Sequence, residues 1–553
     1  MTADKIKELI ETVDRVSLID AFVADKNGTL SGKIKVKSGG NVHDTEWSVK
    51  ISPTYPFRLM DMEPIHFINS ALIDYSHIME NGSLCMHPAE YENPEEQFVH
   101  DLGQLIEWID EYYIKEKKDE HYEHLVVNHN LIRVQYFTYC FAETQEEFEN
   151  EDYGFVSYAN IAQGRKNKKK ILNFVVQKFT STKQVRKIEN PCRISRAYLN
   201  LESNYGIYCL LKEAPSVHNK FIIKDFDSLK DLFSQSQKDF IHTFEKQYRN
   251  KIQYFPLFCG YKLPDGCIHW QAMVLHMDDL PIEPFHVGTG RNRVWHTDFK
   301  SGKIPWCQTE DISYKYFFGR GAMPQELADK KILIMGVGAI GSTIAESLTR
   351  CGAKRITVYD IDDKEPGNVC RSAYPFYSGI TEKTQDIIDV LQRISPHVEC
   401  DSLRSLLNVD VFVKLIAAED KDMQPIAELF NVYDVIFDCT TDNQLMRVID
   451  NSGITAQVIN LSITNYAQDL VCAFSPNITE TVRLIYKVLN RDTESDLYNP
   501  TGCWTPTFKA SFNDIACKVQ FALKHIIRML SEQEPRGNFY VTEDETNLII
   551  NRL

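Results

Sequence analysis

Residues 331–341 read Lys331-Ile332-Leu333-Ile334-Met335-Gly336-Val337-Gly338-Ala339-Ile340-Gly341. A short apolar run, the pattern of a buried strand, enters a G-x-G-x-x-G loop, and the stretch Ala339–Cys351 behind it is helical. The first glycine permits the tight turn, the second lets a phosphate approach the backbone, and the third lets helix and strand pack closely. The helix start adds N–H donors and positive potential for an anion.

Working outward, strands and helices alternate. Strands are expected at Ile356–Tyr359, Asp434–Phe437, Val458–Ile463 and Asp469–Phe474, and helices over Lys383–Ile394 and Gln444–Ile449. Alternation of this kind predicts a mostly parallel sheet flanked by helices. Asp360 ends the second strand, about twenty residues beyond the loop, where a carboxylate accepts from ribose hydroxyls. To this point a dinucleotide-dependent dehydrogenase fits equally well. Asn368, Arg371 and Lys383 separate the two readings. Hydride transfer has no use for cations at this edge, whereas displacement at a phosphate needs them for the charge that develops there. Asp442, in Asp438-Cys439-Thr440-Thr441-Asp442-Asn443, closes a strand at the same edge and can hold Mg²⁺ through oxygen.

As a set, Gly336–Gly341, Asp360, Asn368, Arg371, Lys383 and Asp442 resemble the adenylation domain of ubiquitin-activating and ThiF/MoeB-type enzymes, over residues 329–477. The resemblance implies ATP and Mg²⁺, with Asp360 on the ribose, Asn368, Arg371 and Lys383 on phosphates, and Asp442 on the metal. Two departures stand out. The family often reads Asn-Leu-x-Arg-Gln where this chain has Asn368-Val369-Cys370-Arg371-Ser372, and the aspartate motif here carries an extra threonine. The C-x-x-C pairs common in sulfur-carrier activators are absent from the chain. Arg320, upstream of the sheet, is a candidate for donation to a neighbouring site in a dimer, against the plain reading of a surface arginine.

Two cysteines need explanation. Cys503, in Thr501-Gly502-Cys503-Trp504-Thr505-Pro506, precedes a helical stretch running to Leu530. A thiol near a helix start is more acidic and more reactive, which suits attack on an acyl-adenylate. Cys517, inside that helix, is expected to be packed. Cys85 follows Asn81-Gly82-Ser83-Leu84. Before it come a helix carrying Ile6, Leu9, Ile10 and Val13 behind a Thr2 cap, and strands over Val16–Ala24, Gly32–Lys37, Glu46–Ile51 and Ile65–Ile68. After it an amphipathic helix presents Phe98, Leu102, Leu105, Ile106 and Ile109. This order, with Thr54-Tyr55-Pro56-Phe57 upstream, resembles the ubiquitin-conjugating (UBC) fold over about residues 1–120. That family usually places the asparagine of a His-Pro-Asn motif where this chain has His77, and Tyr75 stands in place of the motif's histidine. An imidazole can donate to the oxyanion formed when an amine attacks a thioester, or take the amine's proton.

The chain has 553 residues, too many for one core. The expected fold is multidomain α/β and α+β: a UBC-like α+β domain over 1–121, an α+β linker domain over 122–310, and a Rossmann-like ThiF-type adenylation domain over 311–553. The linker carries no chemical motif; strands are expected at Ile171–Phe179 and Tyr205–Lys212, a helix over Ser228–Gln247, and a solvated turn at Lys166–Lys170. A net charge of −16, from 61 basic and 77 acidic residues, argues against nucleic acid as the main partner. Neither a signal-type leader nor a membrane-length apolar run is present, so the expected location is cytoplasmic. Fourteen scattered cysteines without C-x-x-C pairs fit a reducing compartment.

The order of conjugating, linking and activating parts resembles the bacterial fusion enzymes of anti-phage CBASS operons, the CD-NTase-associated ubiquitin-transferase-like proteins. That resemblance implies adenylation of a protein C-terminus, thioesters on Cys503 and then Cys85, and ligation to target lysines. The implied donor is the operon's CD-NTase-like cyclase, primed by conjugation for antiviral signalling, and the implied assembly is a homodimer. A dedicated bacterial ubiquitin-like modifier as donor, and a ThiF-type sulfur-carrier adenylyltransferase, remain the alternatives.

Overall fold

The computed structural model describes residues 1–39, 43–59, 63–86, 90–118, 123–124, 132, 134–183, 187–218, 220–223, 225–289, 293–403, 423–489, 497–498 and 507–553. The chain divides into two compact units, Met1–Cys192 with Ser203–Asp311, and Arg193–Glu202 with Ile312–Leu553.

In the first unit, Thr2 caps the helix Ala3–Thr12 by accepting the Lys5 N–H, and Ile6 and Ile10 turn inward. Four antiparallel strands follow in meander order: Val16–Ala24, Leu30–Val36, Thr45–Ile51 and Ile65–Ile68. Trp47, Val49 and Ile51 alternate onto the buried face, as a half-buried strand requires. Asn93 and Pro94 start the helix Pro94–Trp108, whose Phe98, Leu102 and Leu105 close the same core. The predicted helix there does not end cleanly: Ile109–Ile114 is a π turn, and it swings Tyr112 toward the loop before Cys85. The Tyr-Pro-Phe mark also has a packing role, since Tyr55 is buried and its hydroxyl donates to Asp101 at 2.6 Å.

The rest of this unit is built on a mixed sheet. Among the described residues its strands lie in the order Ile268–His276, Tyr254–Lys262, Ser203–Leu210, Tyr153–Lys166, Lys169–Ser181, Gln135–Phe141 and Gln308–Asp311. The Lys166–Lys170 run is the tight turn of a hairpin, with Asn167 and Lys168 at positive φ. The helix expected over Ser228–Gln247 is broken. A short turn at Phe226–Leu229 ends, and Ser234 starts a new helix, Gln235–Tyr248, through a capping box with Gln237.

The second unit holds a sheet whose described strands run Glu399–Ser402, Arg355–Tyr359, Lys331–Met335, Val435–Asp438, Gln457–Thr464, Asp469–Phe474, Phe539–Glu543 and Leu548–Arg552. The first five are parallel and the last three antiparallel. Chain order reverses between Lys331–Met335 and its two neighbours, which makes this the switch point where such sheets bind ligands. Ile332–Met335 and Val435–Phe437 are buried on both faces, which is why they read as unbroken apolar runs. Helices Ala339–Arg350, Lys383–Ile394 and Phe512–Leu530 pack on this frame. Cys517 is exposed, correcting its expected packing: Ile515, Val519, Ala522 and Ile526 form the inward face of its helix instead. No helix among the described residues is long and apolar enough to cross a membrane.

Candidate active site

The glycine loop leaves the switch-point strand at its carboxyl end. Gly336 adopts φ 79, and a Cβ there would stand 2.8 Å from the Cys439 carbonyl. A Cβ on Gly341 would stand 2.0 Å from the Gly336 oxygen, so helix and strand meet too closely for any side chain. A Cβ on Gly338 would meet nothing within 4 Å. That open side is where a phosphate would approach the uncapped start of the helix Ala339–Arg350.

Asp360 follows the adjacent strand. Its Oδ2 accepts the Val337 N–H at 2.8 Å, and its Oδ1 accepts the Asp362 N–H at 3.0 Å. The carboxylate thus steadies the glycine loop while each oxygen has a second lone pair that could accept another donor. Burial raises its pKa above the ordinary carboxyl value; Lys383, 3.8 Å away, acts against this without reversing it. Lys383 opens its helix and donates to Asp362 at 2.8 Å. Burial works to lower its pKa, but the neighbouring Asp360 and Asp362 carboxylates outweigh that and hold the ammonium above its ordinary value. Sequence reasoning passed over Asp362, which lies in the acidic run that follows Asp360.

Asn368 is in the turn Pro366–Val369, where its side-chain oxygen accepts the Glu365 N–H at 2.9 Å. Arg371 is half-buried just beyond, its N–H donating to the Asn368 carbonyl at 3.0 Å. This loop is anchored by a group that the sequence did not single out. The buried Lys364 ammonium bonds the Asp386 carboxylate, the Ser378 hydroxyl and the Pro375 carbonyl. Burial pushes the Asp386 pKa up, yet the hydrogen bonds from Lys364 and Ser378 win and hold it below the ordinary value. Its stabilising contribution is therefore present at neutral pH and lost as pH falls below the ordinary carboxyl range. Lys364→Met should destabilise the second unit by about 3–5 kcal/mol by stranding a buried carboxylate, and the double variant with Asp386→Leu should recover most of the loss. Denaturant melts of the three variants check this.

Asp442 begins the helix Asn443–Asn451, its Oδ1 accepting the Gln444 and Leu445 N–H groups. The extra threonine of this motif, Thr441, sits at φ 57, a strained setting for a β-branched residue. Asp438 is buried, with its oxygens accepting from Thr440 and Asn460. Among the described residues no group of three or more His, Cys, Asp or Glu side chains is arranged to hold a metal. A single carboxylate beside a phosphate site nevertheless fits Mg²⁺, which takes most of its ligands from water and phosphate.

Residues 314–496 match the ThiF family model. The chain carries a ThiF-family domain. The glycine loop, Asp360, Asn368, Arg371, Lys383 and Asp442 all lie inside the matched span, and Cys503 lies beyond it. Among curated relatives, the ATP-dependent ubiquitin transferase-like protein Cap2 of Enterobacter hormaechei subsp. hoffmannii (strain UCI 50) is 26% identical over 326 residues, 55% of this chain and 51% of that protein. Ubiquitin-like modifier-activating enzyme 5 of Caenorhabditis briggsae is 34% identical over 94 residues, 16% of this chain and 22% of that enzyme. The chain thus spans about half the length of the first relative and less of the second. A crystal structure of E. coli MccB with AMPCPP and MccA aligns at a TM-score of 0.30 and 15% identity, over 41% of this chain and 64% of that one, a likeness too low to carry weight.

Outside the span matched by the ThiF model, Cys85 is exposed at the end of its loop, and its N–H donates to the His77 carbonyl at 2.8 Å. His77 is half-buried at φ 65, with its ring edge-on to Tyr112 at 4.5 Å. The two residues paired by sequence reasoning are therefore neighbours. Cys503 falls outside the described residues. The helix after it starts only at Phe512, with Ser511 and Asp514 capping each other. Arg320 is exposed.

Proposed function

We propose that this chain is an ATP-dependent enzyme that activates the C-terminus of a protein and conjugates it to amines. The observation that carries the reading is the meeting of the glycine loop, Asp360 and Lys383 at one edge of the ThiF-domain sheet, where the strand leading to Asp442 also ends. The donor's terminal carboxylate oxygen attacks the α-phosphorus of the co-substrate ATP, and the bond to pyrophosphate breaks. Lys383 and Arg371 neutralise the charge gathering on the phosphates, and the loop N–H groups hold them in place. Asp442 would hold Mg²⁺, which neutralises phosphate charge when bound.

The Cys503 thiolate then attacks the acyl carbonyl and releases AMP, leaving a thioester. The Cys85 thiolate takes the acyl group and frees Cys503. A target lysine amine attacks that thioester, an amide forms, and the Cys85 thiolate leaves. His77 serves this last step, by a hydrogen bond to the oxyanion or by accepting the amine proton. In this reading residues 1–121 form a UBC-like domain, 122–310 a linker and 311–553 the activating part. In this reading the donor is a CD-NTase-like cyclase and the enzyme works as a homodimer.

The test is to incubate the protein with ATP, Mg²⁺ and a CD-NTase-like cyclase, and to resolve the products on non-reducing gels. ATP-dependent adducts that dithiothreitol removes are expected. A gel with no new species, or with adducts that form equally well without ATP, would remove the relay.

A further inference from the structure

The four consecutive carbonyls from Tyr75 to Ile78, leading toward the Cys85 loop, are each held by a donor. The Tyr75 oxygen accepts from the Lys220 ammonium at 3.3 Å, and the Ile78 oxygen accepts from the same ammonium. The Ser76 oxygen accepts the Trp108 indole N–H at 2.9 Å. The His77 oxygen accepts the Cys85 N–H. Lys220 comes from outside the four-stranded meander, in a small hairpin that pairs Lys220–Phe221 with Ser216–Val217. Its residue is 0% exposed.

A buried ammonium is costly unless its protons are bonded. Here two backbone oxygens of the His77 loop accept from it, so the loop and the lysine each depend on the other. His218 of the same hairpin lays its ring over that of Tyr75, with centroids 4.1 Å apart and planes inclined by 11°. Its Nδ1 lies 3.0 Å from a Glu116 carboxylate oxygen. The loop they hold carries His77 in the left-handed region, a conformation that a residue with a side chain keeps only when its surroundings impose it.

We infer that Lys220 is a positioning residue for the Cys85 site: its hairpin fixes the backbone of His77, so transfer from Cys85 depends on a residue distant in sequence. This gives the 122–310 segment a role beyond linking. The inference rests on the reading of Cys85 as the acceptor thiol with His77 beside it.

Full-length Lys220→Met is compared with the unaltered protein in three measurements. Hydrogen exchange over residues 75–86 should accelerate about tenfold or more, because the Cys85 N–H loses a fixed acceptor. Discharge of the donor from Cys85 to free lysine should fall about tenfold in kcat, with the KM for lysine unchanged. ATP–pyrophosphate exchange should not change. His218→Ala, which removes only a partly exposed ring, should show the same pattern at about threefold and keeps the test decisive if Lys220→Met does not fold. Unchanged exchange and unchanged discharge in the folded variants would overturn the inference. A protein that never loads Cys85 would instead sink the Cys85 reading, while hydrogen exchange would still decide whether Lys220 holds the loop.

Discussion

Cys503→Ala is expected to abolish every ATP-dependent thioester on the protein, whereas Cys85→Ala should leave the adduct on Cys503 and stop transfer to amines. The asymmetry follows from where each thiol sits in the sequence. Cys503 follows the ThiF domain closely, in a Gly-Cys-Trp stretch ahead of the helix Phe512–Leu530. Cys85 belongs to the other unit, which has its own core. An acyl-adenylate reacts with whichever thiolate is presented to it, so the thiol belonging to the adenylating part loads first. Alanine at Cys503 leaves the adenylate with no thiol to attack it, and the expected residual signal is nil. Alanine at Cys85 leaves a chemically intact thioester that dithiothreitol still removes. Intact-mass analysis of both variants, with peptide mapping of the modified cysteine, reads the outcome. Adducts that persist unchanged in Cys503→Ala would reverse the order of the relay.

Arg371→Ala should lower ATP–pyrophosphate exchange by about 10²–10³-fold. A cation at this loop meets charge that grows as the bond to pyrophosphate breaks, so its removal costs more in the transition state than in ATP binding. The apparent KM for ATP should therefore move less than kcat. Lys383→Ala is expected to affect both constants, since the ammonium also pairs with Asp362 beside Asp360. Undiminished exchange in Arg371→Ala would take that residue out of the site.

The parts of the fold that were legible in the sequence are those where local pattern and tertiary burial agree. Ile332–Met335 is buried on both sides and shows it as a continuous apolar run, and Lys383–Ile394 has helical periodicity with one packed face. The stretch Ser228–Gln247 misleads because its apolar spacing continues through Ser234, where a capping box starts a second helix. Cys517 misleads because a cysteine inside an apolar helix reads as core, and only the packing of Ile515 and Val519 shows which face turns inward.

The site divides in the same way. Asp360, Asn368, Arg371, Lys383 and Asp442 could be picked out as candidates because a glycine loop at a strand end fixes where the neighbouring strands must end. Lys364, Asp386, Asp362 and Lys220 could not, since each acts through contacts between segments distant in sequence or through a backbone carbonyl, and no spacing rule records either. His77 stood out only against the asparagine of the family it resembles. What holds it in place, the Cys85 N–H, the Trp108 indole and the Lys220 ammonium, emerges only in three dimensions.

The claim on which the rest depends is that the ThiF domain of this chain adenylates a carboxylate. It is tested most directly by ATP–pyrophosphate exchange with the full-length protein and Mg²⁺, with and without a CD-NTase-like cyclase as donor. Exchange that appears only when the donor has its native C-terminus, and that vanishes when the terminal residues are removed, is the predicted result. Nicotinamide binding with no exchange under any donor condition would contradict it.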